Sequence, residues 1–186
     1  LMTIPEPVSG EEAQRAVHAR AKLLFDAVRD AGVAGASFDT LSIGMTADLE
    51  FMPWTDASNL QQAVRIVENA DRENAAVLVD AFHFDRSGSR LEDLASVAPS
   101  RLRYAQLCDV AGPRPADMAE ILRQARNERR FPGDGDCDLS GLLRCLPANI
   151  PLSLEIPTVQ LLEQGVSGLD RAQMALDKTR ELLARI

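Results

Sequence analysis

The stretch ADLEFMPW, residues 47–54, reads as a buried strand over residues 48–52 except that it carries a carboxylate, Glu50. The same grammar recurs in PLSLEIP, residues 151–157, where Glu155 stands near the end of an apolar strand and Pro157 follows soon after. Burying an unpaired carboxylate costs several kcal/mol. A chain that does so twice is therefore expected to supply each glutamate with a cation or a proton.

The flanking sequence alternates strand and helix signals. LQQAVRIV, residues 60–67, places Leu60, Ala63, Val64 and Val67 on one helical face. Residues 75–84 begin as a continuous apolar strand, the pattern expected where both faces are covered. A short helix over 90–97 and a third strand over 102–108 follow. Residues 115–129 read as a helix with Pro115 in its first turn and Met118, Ile121, Leu122 and Ala125 facing inward. The remainder gives a short helix over 140–146, a fourth strand over 152–156 and a closing amphipathic helix over 169–186. Ahead of Glu50 the signal is weaker, with a helix over 11–29 and only a faint strand within 31–38. Strands separated by helices at intervals of roughly 25 to 30 residues describe right-handed β/α units on a parallel sheet. The expected class is α/β, either a doubly wound sheet or a TIM-type (β/α) barrel. A closed barrel takes about 250 residues, so the 186 residues here, read as one domain over 1–186, predict a partial barrel with its last four β/α units legible.

With 46% apolar and 26% charged residues, the composition is that of a water-soluble globular domain. Its longest apolar runs, such as AAVLV at 75–79, are of strand length, whereas a membrane span takes roughly 20 residues. LMTIP at the start has no basic region followed by an apolar core, so no secretory signal is read. Cys108, Cys137 and Cys145 are odd in number and show no C-x-x-C spacing, which argues against a disulfide framework and a zinc knuckle. A cytoplasmic setting is expected. The net charge of −8 opposes binding to a phosphate backbone, so neither nucleic acid nor membrane is an expected partner. RNERR, residues 126–130, is a local basic patch with two readings, a solvated helix end or a surface for an anionic substrate.

Four strands end in polar groups that core packing does not require: Glu50, Asp80 with His83, Gln106 with Asp109, and Glu155. In parallel β/α architecture the C-terminal strand ends meet at one face, so these side chains are expected to converge. Three carboxylates and an amide oxygen suit a hard divalent ion such as Mg²⁺ or Mn²⁺, with His83 as a further ligand or a substrate contact. Each residue alone has an ordinary reading: a loop salt bridge or helix cap for the acids, a satisfied imidazole for His83, an amide bonded to backbone for Gln106. Their joint occurrence favours a site. Trp54, just after Glu50, either packs over the rim or walls the pocket. RFPGDGD, residues 130–136, lacks the Lys-Ser/Thr of a Walker loop and is a turn or an active-site loop.

Taken together, LEFMP at 49–53, LVDAFH at 78–83, QLCD at 106–109, RFPGDG at 130–135 and LEIP at 154–157 closely resemble the sugar phosphate isomerase/epimerase superfamily, the xylose-isomerase-like barrels. The resemblance implies that Glu50, Asp80, Gln106 and Glu155 bind one divalent metal, Mn²⁺ or Mg²⁺, and that Glu50 and Glu155 also act as acid and base. It makes His83 a substrate contact and sets Arg130 beside the pocket; Trp54 and Asp109 are further substrate-binding candidates from their own positions, and the Arg129-Arg130 pair could meet a substrate carboxylate. The activity it implies is isomerisation or epimerisation of a small sugar or sugar phosphate by proton abstraction next to a carbonyl. Gln106 stands where many sugar epimerases carry histidine and is similar to the 3-dehydroshikimate dehydratase branch. The alternative is therefore a dehydratase of that kind, or one like the inosose dehydratases. Endonucleases of the endonuclease IV type share the barrel, but they need several metals and further histidines, and this chain has only His18 and His83. The expected partner is thus a small carbohydrate or polyhydroxy keto compound, with homo-oligomerisation left open.

Overall fold

The computed structural model describes residues 47–186, so the helix expected over 11–29 and the strand within 31–38 lie outside the described residues. Four strands pair in parallel and in chain order: β1 (Ala47–Glu50), β2 (Ala75–Asp80), β3 (Leu102–Leu107) and β4 (Leu152–Leu154). Helices fill the connections: α1 (Leu60–Asn69), α2 (Ala81–Ser87), α3 (Leu91–Ala95), α4 (Met118–Asn127), α5 (Leu139–Cys145), α6 (Val159–Glu163) and α7 (Gly168–Leu183), with a single 3-10 turn at Pro99–Arg101. Among the described residues no helix is long and apolar enough to cross a membrane.

The strand expected over 48–52 ends at Glu50 and the one expected over 152–156 at Leu154, which leaves Glu155 just past its strand, and two further boundaries differ from the sequence reading because an aspartate caps a helix. The strand expected over 75–84 stops at Asp80, whose Oδ1 accepts the His83 backbone N–H at 2.9 Å and starts α2 without an intervening loop. His83 therefore sits on the first turn of a helix rather than on the strand. Likewise α4 begins after Asp117, whose carboxylate accepts the Ala119 N–H at 3.0 Å, and not at Pro115. Of its four expected inward residues, Ile121 and Ala125 are buried while Met118 is 39% exposed. Neither α2 nor α6 is anticipated by the apolar periodicity.

All six residues of β2 are buried, as its continuous apolar run requires of a strand covered on both faces. Leu49, Val77, Val79, Ala105 and Leu107 pack on one face of the sheet against Leu60, Ala63 and Val67 of α1, Leu94 of α3 and Leu139 and Leu142 of α5. A second apolar cluster lies beyond the C-terminal strand ends, where Phe82, Cys108, Val110, Ile121 and Ala125 meet Trp54, Cys137 and Ile156. That second cluster forms the floor on which the polar strand ends stand.

Candidate active site

Glu50 and Asp80 are the last residues of β1 and β2. Glu50 is in register with Leu78, Asp80 with Gln106, and Gln106 with Ser153. Successive strand residues point to opposite faces, so Glu50, Asp80 and Gln106 project from one face, and Glu155, two residues past Ser153, continues the row. His83 enters from α2: its Nε2 lies 3.6 Å from Glu50 Oε1 and 3.9 Å from Asp80 Oδ1. Glu50, Asp80 and His83 each offer one ligand atom within 4.8 Å of the others. The imidazole is boxed by aromatic edges, with its centroid 5.1 Å from that of Trp54 and 5.5 Å from that of Phe82.

Low polarity around these groups sets their protonation. Burial, reinforced by the charges of Asp80 and Glu155, pushes the Glu50 carboxyl up to about 8 against the opposing pull of Arg129. Burial and the Arg129 charge lower the His83 imidazole to about 3, so it is neutral at physiological pH. Glu50 Oε1, Gln106 Oε1 and His83 Nδ1 are buried without a hydrogen-bond partner. Such orphaned atoms are rare in folded proteins, and three of them gather here.

Arg129, which the sequence reading placed with Arg130 in a basic patch open to an anionic substrate but not among the pocket residues, is the arginine that reaches the cluster. It is 8% exposed rather than part of a solvated helix end. Its Nη1 donates to Asp80 Oδ2 at 2.8 Å and to Glu155 Oε2 at 3.0 Å, Nη2 lies 3.3 Å from His83 Nε2, and Nε donates to the Ala125 carbonyl at 3.1 Å. The guanidinium also stacks 5.0 Å above the Phe82 ring. Burial works against its charge, but Asp80 and Glu155 outweigh burial and keep Arg129 firmly cationic. Two of the three strand-end acids thus share a resident cation, whereas Glu50 meets its burial through a raised proton affinity. A reading of 129–131 as extended would have sent Arg129 and Arg130 to opposite faces, but no local signal says which one points inward.

Arg130, expected beside the pocket, is exposed and donates from Nη1 to the Asp134 carbonyl at 3.1 Å. With Arg129 and Thr158 it lines a neighbouring cleft of about 440 Å³ between the end of α4 and residues 157–161. Asp109, expected to touch substrate, is instead 1% exposed with its carboxylate engaged by backbone: Oδ1 accepts from Val110 N at 2.8 Å and Cys137 N at 3.1 Å, and Oδ2 from Gly133 N at 3.0 Å. Both oxygens of this buried carboxylate are thus engaged by backbone amides. The RFPGDG segment is accordingly a loop folded onto the end of β3, and Gly135 is required there, because a Cβ would stand 2.4 Å from Asp109 Oδ1.

The chain is similar to several known proteins. A 3-dehydroshikimate dehydratase of Pseudomonas aeruginosa is 28% identical over 151 residues, 76% of this chain and 23% of that protein. An inosose isomerase of Bacillus subtilis is 28% identical over 105 residues, 55% of this chain and 36% of that protein. The chain therefore spans only a part of the length of each relative. The crystal structure of the IOLI protein with a binding zinc atom superposes with a TM-score of 0.68 at 19% identity, covering 99% of this chain and 61% of that one, a likeness of fold alone. The family described as xylose isomerase-like TIM barrel matches residues 5–182, and this chain belongs to it.

Proposed function

We propose that the chain acts as a divalent-metal-dependent isomerase or epimerase on a small sugar or sugar phosphate, by proton abstraction next to a carbonyl. The carrying observation is the juxtaposition of Glu50 Oε1 and His83 Nε2 at 3.6 Å, with Asp80 Oδ1 3.9 Å from the same nitrogen. The residues fit a hard cation. Glu50 and Gln106 each hold a buried oxygen without a partner, and oxygen donors are what Mg²⁺ and Mn²⁺ take. Glu50, Asp80, Gln106 and Glu155 would hold the ion, with His83 against them. When bound, the ion supplies positive charge that polarises a carbonyl and acidifies the adjacent C–H.

The chain's own groups do the rest. Glu50, at the buried end of the row, would take the proton once the charge of a bound ion favours its carboxylate form, and Glu155, half-exposed at the other end, would return it. Neutral His83 and cationic Arg129 hold substrate oxygens, and Trp54 and Phe82 keep water from the reacting carbon. The net charge of −8 and the small scale of the site favour a small molecule over a nucleic acid. The test is incubation of Mn²⁺-loaded protein with a panel of ketoses and ketose phosphates in D₂O. Deuterium is expected at a carbon next to the carbonyl, and no exchange in any ketose would refute the assignment.

A second reading has its own support. Gln106 contributes an amide, and Arg129 is a buried cation suited to a substrate carboxylate. The same proton abstraction would then expel water from a polyhydroxylated keto acid or inosose. The Pseudomonas relative's name fits this reaction and the Bacillus relative's name fits the first. An ultraviolet-absorbing conjugated product supports dehydration, whereas a product of unchanged mass excludes it.

A further inference from the structure

Arg129 reaches the site because its side chain is held on one side and the backbone next to it on the other. On the N-terminal side its own Nε grips the Ala125 carbonyl of α4 at 3.1 Å. On the C-terminal side residue 130 forms an isolated antiparallel bridge with Asp109: Asp109 N–H donates to Arg130 O at 2.9 Å and Arg130 N–H to Asp109 O at 2.7 Å. The Asp109 carboxylate extends that grip along the loop through Gly133 N and Cys137 N. Val110 O accepts from Asp136 N at 2.8 Å, and Asp136 Oδ2 accepts from Gly112 N at 2.8 Å, so the loop is tied back on both sides of the carboxylate. Gly133 has φ +88°, a left-handed conformation that lets its N–H turn toward Asp109.

We propose that Asp109 is a positioning residue: its buried carboxylate clasps residues 130–137 and thereby aims the Arg129 guanidinium at Asp80, Glu155 and His83. The inference rests on the reading of that cluster as the substrate site and assigns Asp109 a task other than touching substrate. Its three partners are backbone amides and not a cation, so the Arg129 guanidinium stays engaged with the cluster. The side chain acts through backbone, and a carboxylate is the group that serves it. An asparagine in the same place can accept from Val110 and Cys137, but its NH₂ faces the Gly133 N–H as donor against donor.

The experiment follows the Arg129 Nε–H resonance by NMR, assigned by its disappearance in Arg129→Lys, together with acrylamide quenching of Trp54, the chain's one tryptophan, whose ring packs on His83. In Asp109→Asn the Nε–H is expected to exchange at least ~10-fold faster and Trp54 to be quenched about twofold more, with far-UV dichroism unchanged. Unaltered exchange and quenching in the folded variant would overturn the proposal. Should Asp109→Asn not fold, native-state exchange of the wild-type protein decides instead. The amides of Arg130, Gly133 and Cys137 and the Arg129 Nε–H are expected to open as one unit in denaturant, and independent opening overturns the claim. A Mn²⁺ thermal shift in wild type and variant separates the two levels. Its absence from both sinks the metal reading while the exchange data still decide the role of Asp109.

Discussion

Replacing Arg129 with methionine keeps a long, flexible stem over Phe82 and deletes the guanidinium that contacts Asp80 at 2.8 Å. Asp80 is 0% exposed, so its carboxylate would remain buried without that counter-charge. Breaking a buried pair in this way costs about 3–5 kcal/mol. The second arm of the pair, to the half-exposed Glu155, adds at most about 1 kcal/mol because water screens it. With a urea slope of about 2.5 kcal/mol per molar, the unfolding midpoint should fall by roughly 1.5 M. The assay is urea unfolding followed by far-UV dichroism in EDTA, then repeated in Mn²⁺. An ion present at a hundredfold excess over its dissociation constant stabilises the folded state by about 2.7 kcal/mol. It should restore more to Arg129→Met than to wild type, since it replaces the missing charge beside Asp80. A midpoint in EDTA within about 0.3 M of wild type would refute the argument that Arg129 is the resident counter-ion.

Other outcomes follow from the same contacts. In EDTA the stability supplied by the tightly held Glu50 proton is lost as pH rises from about 4.5 to about 8, while His83, kept neutral in the fold, adds stability as pH rises from about 3 to about 6.5; the two oppose each other at first, so melting temperatures at stepped pH should fall chiefly between about 6.5 and about 8. Glu50→Gln should remove that part of the slope and also abolish the Mn²⁺ thermal shift; a full shift in this variant would show that Glu50 is no ligand. Arg86, 1% exposed, donates to Gln124, Asp85 and the carbonyls of Ala111 and Gly112. Arg86→Met leaves those acceptors unpaired and should lower the melting temperature by roughly 10 °C, at about 3 °C per kcal/mol for a loss of about 3–5 kcal/mol.

Much of the architecture was legible in the chain because it depends on local pattern. The continuous apolar run at 75–79 needs covering on both faces, and the 3.6-residue spacing of Leu60, Ala63 and Val67 needs an inner face; together they dictate parallel β/α units. The convergence of Glu50, Asp80 and Gln106 was legible for the same reason, since parallel strands put their C-terminal ends at one mouth. The end of β2 was not, because Asp80 belongs equally to a strand end and a helix cap, and the carboxylate contact that decides it forms only in the fold.

The roles of Asp109, Arg129 and Arg130 lay beyond the sequence for a deeper reason. QLCD and RNERR are separated by a helix and a turn, and nothing in either segment states that Asp109 and Arg130 will exchange backbone hydrogen bonds. The chain by itself determined which chemical groups gather at the strand ends. Which arginine faces them, and which aspartate serves the loop rather than the site, was decided by tertiary structure. A long-range backbone bridge fixes direction, and in extended chain a shift of a single residue reverses which side chain is buried.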